Sequence, residues 1–131
     1  MWRIVEYTNY ECTEGPEEEY GVYEDQDTAI VSFIKLSNDK DIIDFSFLDG
    51  QLEEWMSDSD WEKDIYFGGS YGGSIVLYKS DSDNGWKEIL IASRDRDPKT
   101  KEIKLYPIEC GEDLSIDEKS LLSERYGLVF G

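Results

Sequence analysis

The second half of the chain alternates between apolar runs and short polar breaks. Between Asp64 and Pro107, four runs rich in Ile, Val, Leu, Tyr and Phe are separated by clusters of Gly, Asp, Asn, Ser and Pro. β-Branched and aromatic residues favour strands, whereas the polar clusters favour turns. The pattern therefore predicts an antiparallel meander, with turns at Asp81–Gly85 and Arg94–Lys99.

The first half of the chain contains weaker signals. Trp2–Tyr7 alternates loosely and predicts the first strand, and Thr8–Tyr23 predicts an exposed acidic loop or an irregular hairpin. Ile43–Phe47 alternates apolar and polar residues, which is typical of a half-buried strand. Thr28–Leu36 fits either a short helix capped by Asp27 or a strand, because its apolar spacing suits the first and its β-branched content the second.

Helix signals occur at two further places. Gln51–Ser57 can form one or two helical turns, and Ser115 with Glu118 matches a capping box, with Gly127 able to end that helix. The residues expected on the apolar side of this C-terminal helix are Leu121, Leu122 and Tyr126. The patterns together predict one α+β domain over residues 1–131: an antiparallel β-sheet of about four to six strands with a C-terminal helix and one or two short helices packed on it.

The distribution of charge indicates what the protein binds. The formal net charge is −18, and Met1–Asp64 holds 19 acidic and four basic residues, whereas Ile65–Gly131 holds 12 and nine. Such a field repels nucleic acid and anionic membranes and attracts basic surfaces. We therefore expect a basic protein as the partner, with no direct binding of nucleic acid or membrane.

Composition also limits the chemistry. The chain has no histidine, the commonest general base and a frequent metal ligand, and Cys12 and Cys110 are too few for a disulfide framework or a metal site. We predict a protein that is not an enzyme and uses no cofactor or metal. The N-terminus lacks signal-peptide zones and no apolar run approaches the roughly 20 residues of a membrane span, which predicts a cytoplasmic protein.

Two motifs have structural interpretations that outweigh the functional ones. Gly68–Gly73 is followed by the apparent strand Ser74–Tyr78 and not by the Lys-Ser/Thr and helix of a phosphate loop, so it predicts a flexible hairpin connection with Tyr71 at its tip. Asp81–Gly85 resembles a calcium loop, but its glycine comes one place early and the closing Glu is missing. Asp-x-Asp pairs recur along the chain, which indicates solvation of the surface.

One cluster of basic residues interrupts the acidic composition. Its members are Arg94, Arg96, Lys99, Lys101 and Lys104. Acidic residues alternate with them, so local charge balance is the main interpretation, and the cluster can also neutralise part of the acidic half within the fold. The functional alternative is a site for an acidic partner or a nucleic-acid end.

Two acidic stretches that contain aromatic residues are the candidate partner-binding site. The first comprises Glu53, Glu54, Trp55, Asp58, Asp60, Trp61, Glu62 and Asp64, and the second Glu17, Glu18, Glu19, Tyr20 and Tyr23. Aromatic side chains supply desolvated contact energy at interfaces, and carboxylates pair with Arg and Lys of a partner. The alternative is structural: Trp55 packs under a short helix and the acids solvate the surface.

These observations predict an acidic inhibitor of a basic partner protein. The first setting is an immunity protein that neutralises a bacterial toxin of the nuclease type, in a toxin–antitoxin pair. The second is a phage anti-restriction or anti-CRISPR protein that acts as a DNA mimic, and a third possibility is a non-inhibitory phage structural or adaptor module. Concentration of the acids in one half, mixed with Trp and Tyr, favours the immunity protein, because a mimic of DNA would space its carboxylates regularly. No motif assigns the chain to a family.

Overall fold

The computed structural model describes residues 1–10, 13–46, 49–50, 71–81, 85–97 and 100–130. Within these residues the chain forms an antiparallel sheet with two helices, which confirms the predicted α+β class and the C-terminal helix. The elements in chain order are β1 (Trp2–Tyr10), β2 (Thr13–Tyr23), α1 (Gln26–Ser37), β3 (Tyr71–Asp81), β4 (Gly85–Arg96), β5 (Ile103–Leu105), β6 (Glu109–Cys110) and α2 (Ile116–Tyr126).

The strand order of the sheet is β2-β1-β3-β4-β5, and β6 also pairs with β4. Strands β3, β4 and β5 are consecutive antiparallel neighbours, as the meander predicted. The N-terminal strand β1 lies between β2 and β3, so the predicted first strand is confirmed and is longer than expected. This order leaves β2, which belongs to the acidic half of the chain, at one edge of the sheet.

The helices cover one face of the sheet and enclose the main core. Side chains of the central strands alternate between the two faces, except at a bulge at Ile89 in β4, and α1 packs against one face through Ala29, Ile30 and Phe33, whose side chains are buried. The strand residues in the core are Trp2, Ile4, Ile75, Leu77, Ile89, Leu90 and Ala92. Burial of these apolar side chains is the main source of stability for the sheet and α1.

The ambiguous segment Thr28–Leu36 is helical. The residue that caps α1 is Asp25 and not the predicted Asp27, because the Asp25 carboxylate accepts a hydrogen bond from the backbone N–H of Thr28 at 2.9 Å. The buried positions Ala29, Ile30 and Phe33 follow helical spacing, and their packing on the sheet outweighs the β-branched content of the segment.

The strand predicted over Ile43–Phe47 is wrong. Residues 42–45 form no strand, although Ile43 and Phe45 are buried in the core as the alternation implied. The Asp44 carboxylate accepts a hydrogen bond from the backbone N–H of Ser46, and the N–H of Asp49 donates to the carbonyl of Phe45. A side chain that bonds to nearby backbone competes with strand pairing, so the segment turns and still buries its apolar residues. Phe47 lies outside the described residues.

The glycine-rich motif lies partly inside the sheet. Gly72 and Gly73 are in β3 and pair with β1 on one side and β4 on the other, so they do not form the predicted hairpin connection. A Cβ atom on Gly72 would lie 2.3 Å from the carbonyl oxygen of Arg94, which no other residue type would tolerate. The rest of the motif, Gly68, Gly69 and Ser70, and the side chain of Tyr71 lie outside the described part of the chain.

The two predicted turns of the meander have different outcomes. Strand β3 ends at Asp81 and β4 begins at Gly85, so the first turn is where it was predicted, with residues 82–84 outside the description. The second turn begins later than predicted, because β4 continues through Arg94 to Arg96.

The C-terminal helix α2 has the predicted capping box. Ser115 Oγ accepts a hydrogen bond from the N–H of Glu118 at 3.1 Å, and the Glu118 carboxylate accepts one from the N–H of Ser115 at 3.2 Å. Gly127 ends the helix in the left-handed conformation. Leu122 is buried, but Leu121 is 66% exposed, so the prediction that Leu121 faces the core is wrong.

Helix α2 is attached to α1 through one carboxylate. Asp27 accepts hydrogen bonds from the Arg125 guanidinium at 2.8 Å and from the Tyr126 hydroxyl. None of the described helices is long and apolar enough to cross a lipid bilayer.

Gly111 lies where the chain passes very close to β4, and this contact makes a testable prediction. A Cβ atom at Gly111 would lie 2.1 Å from the carbonyl oxygen of Glu88, which is backbone and cannot move aside. Gly111→Ala is therefore expected to lower the free energy of unfolding by about 1–3 kcal/mol, measured by urea denaturation. Gly50→Ala is the matched control, because nothing lies within 4 Å of an added Cβ there. Equal stability of the two variants would contradict the prediction.

Candidate functional site

The second predicted acidic stretch lies in β2, at one edge of the sheet that the described residues form. In β2 the backbone of Glu17 lies opposite Tyr7, and that of Glu19 lies opposite Val5. The Glu19 side chain is exposed and forms an ion pair with Arg3 at 3.7 Å. The side chains of residues 9–18 lie outside the description, so Glu17 and Glu18 are placed by their backbone alone. Among the described strands β2 pairs with β1 alone, and the unpaired side of an edge strand can be used by another protein.

Tyr20 occupies an irregularity in β2. Gly21 pairs with Ile4 and Glu19 with Val5, so Tyr20 is the extra residue of a β-bulge. Its hydroxyl is within hydrogen-bonding distance of a carboxylate oxygen of Glu6 and lies 3.0 Å from the carbonyl oxygen of Ile42. These contacts attach the loop that follows α1 to the edge strand.

Tyr20 and Tyr23 meet at a groove between β2 and α1. The groove is a cavity of about 300 Å³, and we call it the tyrosine groove; its lining residues are Tyr20, Tyr23, Ser32, Lys35, Leu36 and Asp39. Both tyrosines are partly buried and pack against the core. The structure thus brings together the two tyrosines that the sequence singled out, and adds residues from α1 and the loop after it.

Exposed carboxylates lie in the groove lining or next to it in the sequence. Glu24 follows Tyr23 directly, and Asp39 and Asp41 extend from the loop after α1. The Asp39 carboxylate accepts a hydrogen bond from the N–H of Asp41 at 3.0 Å. Within the described part of the chain neither Asp39 nor Lys35 forms an ion pair, although the two share the groove. The Asp39 carboxylate is exposed, and the buried Arg94 attracts it without an ion pair between them in the described chain, so a cation of another protein can pair with it at the surface.

A buried arginine holds this acidic loop in place. Arg94 is 1% exposed, and its guanidinium donates hydrogen bonds to the carbonyl oxygens of Asp39 and Ser37. Both carbonyls lie at the C-terminal end of α1, where the helix dipole favours a cation. Burial lowers the pKa of Arg94, whereas the nearby Asp39, Tyr20 and Glu6 raise it. Because guanidinium stays protonated in proteins, this is a permanent buried charge beneath the site.

The basic cluster serves the fold more than an external partner. Arg94 is buried, and Arg96 and Lys101 both approach the Asp49 carboxylate, at 3.0 Å and 3.5 Å. Asp49 belongs to the acidic half, so these contacts agree with the interpretation that the cluster neutralises part of that half internally. The Lys104 ammonium lies 4.9 Å from the ring centroid of Tyr106, and Lys99 is outside the described residues.

The face of the sheet opposite α1 carries an aromatic and cationic cluster that sequence reasoning missed. The Arg3 guanidinium lies 4.6 Å from the ring centroid of Trp86 and 5.2 Å from that of Tyr78, while the hydroxyls of Tyr7 and Tyr78 are 2.7 Å apart. Burial raises the pKa of the Tyr78 hydroxyl, and its hydrogen bond to the Tyr7 oxygen raises the pKa further. The sequence does contain a signal for this cluster, because Arg3 and Tyr7 fall on the same face of β1. Their contact with Tyr78 depends on the pairing of β1 with β3.

A second cavity lies between one end of the sheet and α2. Its volume is about 530 Å³, and apolar residues that include Trp2 and Leu122 form part of its lining. The charged side chains along it are Lys79, Glu118, Glu124 and Arg125. These two cations and two carboxylates cancel in net charge. The charge of the cavity lining therefore favours neither anionic nor cationic ligands.

The first acidic and aromatic stretch, from Glu53 to Asp64, lies outside the described residues, and its eight predicted site residues remain predictions. Within the described ranges, no group of three or more Cys, Asp or Glu side chains is placed to hold a metal ion. Cys110 is a partly buried free thiol, and Cys12 lies outside the description.

Comparison with protein-family models, with curated proteins and with solved structures found no match.

Proposed function

We propose that this protein is an acidic inhibitor that binds and blocks a basic partner protein in the cytoplasm. The observation that carries the proposal is the juxtaposition, at one edge of the sheet, of exposed carboxylates with a groove lined by Tyr20 and Tyr23. The setting we favour is immunity: neutralisation of a bacterial toxin of the nuclease type, whose basic groove normally holds nucleic acid. The carboxylates then take the place of phosphates.

The physics of such an interface agrees with the arrangement of the edge. A net charge of −18 accelerates association with a basic protein through long-range attraction. Tyrosine rings add contact area at small entropic cost, and carboxylates select Arg and Lys of the partner. The attachment of the acidic loop by Arg94 and Tyr20 reduces the ordering that binding requires, which improves affinity.

One experiment isolates the partner and then tests the binding surface with variants. The protein is immobilised, a bacterial lysate is passed over it, and a captured basic protein is purified for titration calorimetry and a nuclease assay. Glu24→Lys/Asp41→Lys is expected to weaken binding at least about tenfold, because two exposed attractions at the edge become repulsions. Inhibition of the nuclease is expected to weaken in parallel, and binding by the native chain to weaken as salt rises.

A matched control separates location from net charge. Glu102→Lys/Glu109→Lys makes the same change in charge at exposed positions beside β5 and in β6, away from the edge strand β2. This variant is expected to bind within about threefold of the native chain, since only the long-range part of the attraction is reduced. Equal losses in the two double variants would contradict a site at the edge. A captured partner that keeps full nuclease activity at saturation would contradict an immunity function.

A further inference from the structure

We propose that the tyrosine groove binds the side chain of one arginine of the partner. This inference deepens the proposed function and rests on it for the nature of the partner. The groove is small, about 300 Å³, and that volume suits a single side chain better than a helix or a strand. It lies at the edge of the sheet that the acidic half of the chain supplies.

The lining of the groove matches the parts of an arginine side chain. Tyr20 and Tyr23 offer aromatic rings, and Leu36 offers an apolar surface for the methylene groups. Asp39 offers a carboxylate that has no ion pair within the described chain. A planar guanidinium stacks on aromatic rings and pairs with carboxylates, whereas an ammonium is more strongly hydrated, so arginine is favoured over lysine.

The tyrosine rings are held in position before any partner arrives. The Tyr20 hydroxyl is attached to the carbonyl of Ile42, at 3.0 Å. The Tyr23 ring packs against the core, and its hydroxyl lies close to Gly21 of the same strand. A site whose groups are already oriented binds with a smaller loss of conformational entropy.

The charge of Lys35 opposes the binding of arginine in the groove. It lines the same groove, and its ammonium repels an incoming cation. Lys35→Gln is therefore expected to strengthen arginine binding about twofold to fivefold, the range of a single exposed charge interaction. An adventitious contact with the acidic surface as a whole would show no such local effect.

The test uses the isolated protein and a defined probe. N-acetyl-arginine methylamide is titrated into the 15N-labelled chain, and amide chemical shifts are followed by NMR. We expect saturable binding in the millimolar range, with the largest shifts at Tyr23, Ser32 and Leu36. The citrulline analogue, which has nearly the same shape without the charge, is expected to bind at least about threefold more weakly.

Conservative variants identify the groups that bind the probe. Tyr23→Ala and Asp39→Asn are each expected to weaken binding about twofold to fivefold, whereas Tyr23→Phe keeps the ring and the affinity. Tyr106→Ala removes an exposed tyrosine beside β5, and Asp113→Asn makes the same charge change as Asp39→Asn at an exposed position outside the groove; both are expected to bind like the native chain.

The outcomes distinguish this inference from the proposed function. Equal binding of the arginine and citrulline probes, or native affinity in Tyr23→Ala, would overturn the arginine site even if a basic partner is captured. Saturable arginine binding at Tyr23 and Asp39 would support the site, and it would do so even if no basic protein is captured and the inhibitor function fails.

Discussion

Replacing Arg94 with methionine is expected to lower the free energy of unfolding by about 3–5 kcal/mol. The guanidinium is buried and donates to the carbonyl oxygens of Ser37 and Asp39, with the buried Glu6 carboxylate nearby. Methionine keeps the apolar stem but supplies no donor, so both carbonyls lose a partner and Glu6 loses a neighbouring cation. Urea denaturation followed by circular dichroism measures the change.

Two further variants show whether the loss comes from this buried charge. Lys104→Met makes the same change in charge at an exposed position in β5 and is expected to alter stability by less than about 0.5 kcal/mol. Arg94→Lys keeps the charge without the planar set of donors, so an intermediate loss is expected. A loss below about 1 kcal/mol in Arg94→Met would show that the guanidinium does not hold the loop after α1.

The elements that sequence reasoning identified correctly carry local signals. The capping box of Ser115 and Glu118 is complete within four residues, and the turn between Asp81 and Gly85 separates two runs of strand-forming residues. Such signals depend on neighbours along the chain and not on the rest of the fold. This is why α2 and the hairpin of β3 and β4 were predictable.

The errors arise where distant parts of the chain decide the structure. Gly72 looks like a loop residue, and only the approach of the Arg94 backbone from β4 explains why a glycine is needed inside a strand. Ile43 and Phe45 alternate like a strand, but they cover the core from an irregular segment. The alternation correctly indicated that these side chains are buried. It was wrong about the backbone, which is not a strand.

The candidate site was predictable in part for the same reason. Tyr20 and Tyr23 were grouped with the acidic run because they are close in sequence, and the structure places both on one groove. Asp39 lines the same groove because α1 brings the loop that follows it back beside β2. Arg94 belongs to a basic cluster whose alternation with acids is typical of a charged turn, and its burial depends on its place in β4 and on the contact of its guanidinium with the end of α1 and the loop that follows.

Replacing Phe33 with alanine is expected to lower the free energy of unfolding by about 3–5 kcal/mol. Phe33 is completely buried at the centre of the contact between α1 and the sheet, so the change removes a large apolar surface and leaves a cavity. Val31 on the same helix is 59% exposed, and Val31→Ala is expected to change stability by less than about 0.5 kcal/mol. Urea denaturation of both variants measures the contrast, and similar losses would place the core contact elsewhere on α1.

The Phe33 variant also tests how the site depends on the core. Phe33 does not line the tyrosine groove, but Ser32 and Leu36 do, and all three belong to one rigid helix. A shift of α1 into the new cavity would move one wall of the groove away from Tyr20 and Tyr23. Arginine binding by folded Phe33→Ala is therefore expected to weaken, whereas binding by Val31→Ala stays unchanged. Native affinity in Phe33→Ala would mean that β2 and the loop after α1 form the site without the packing of the helix.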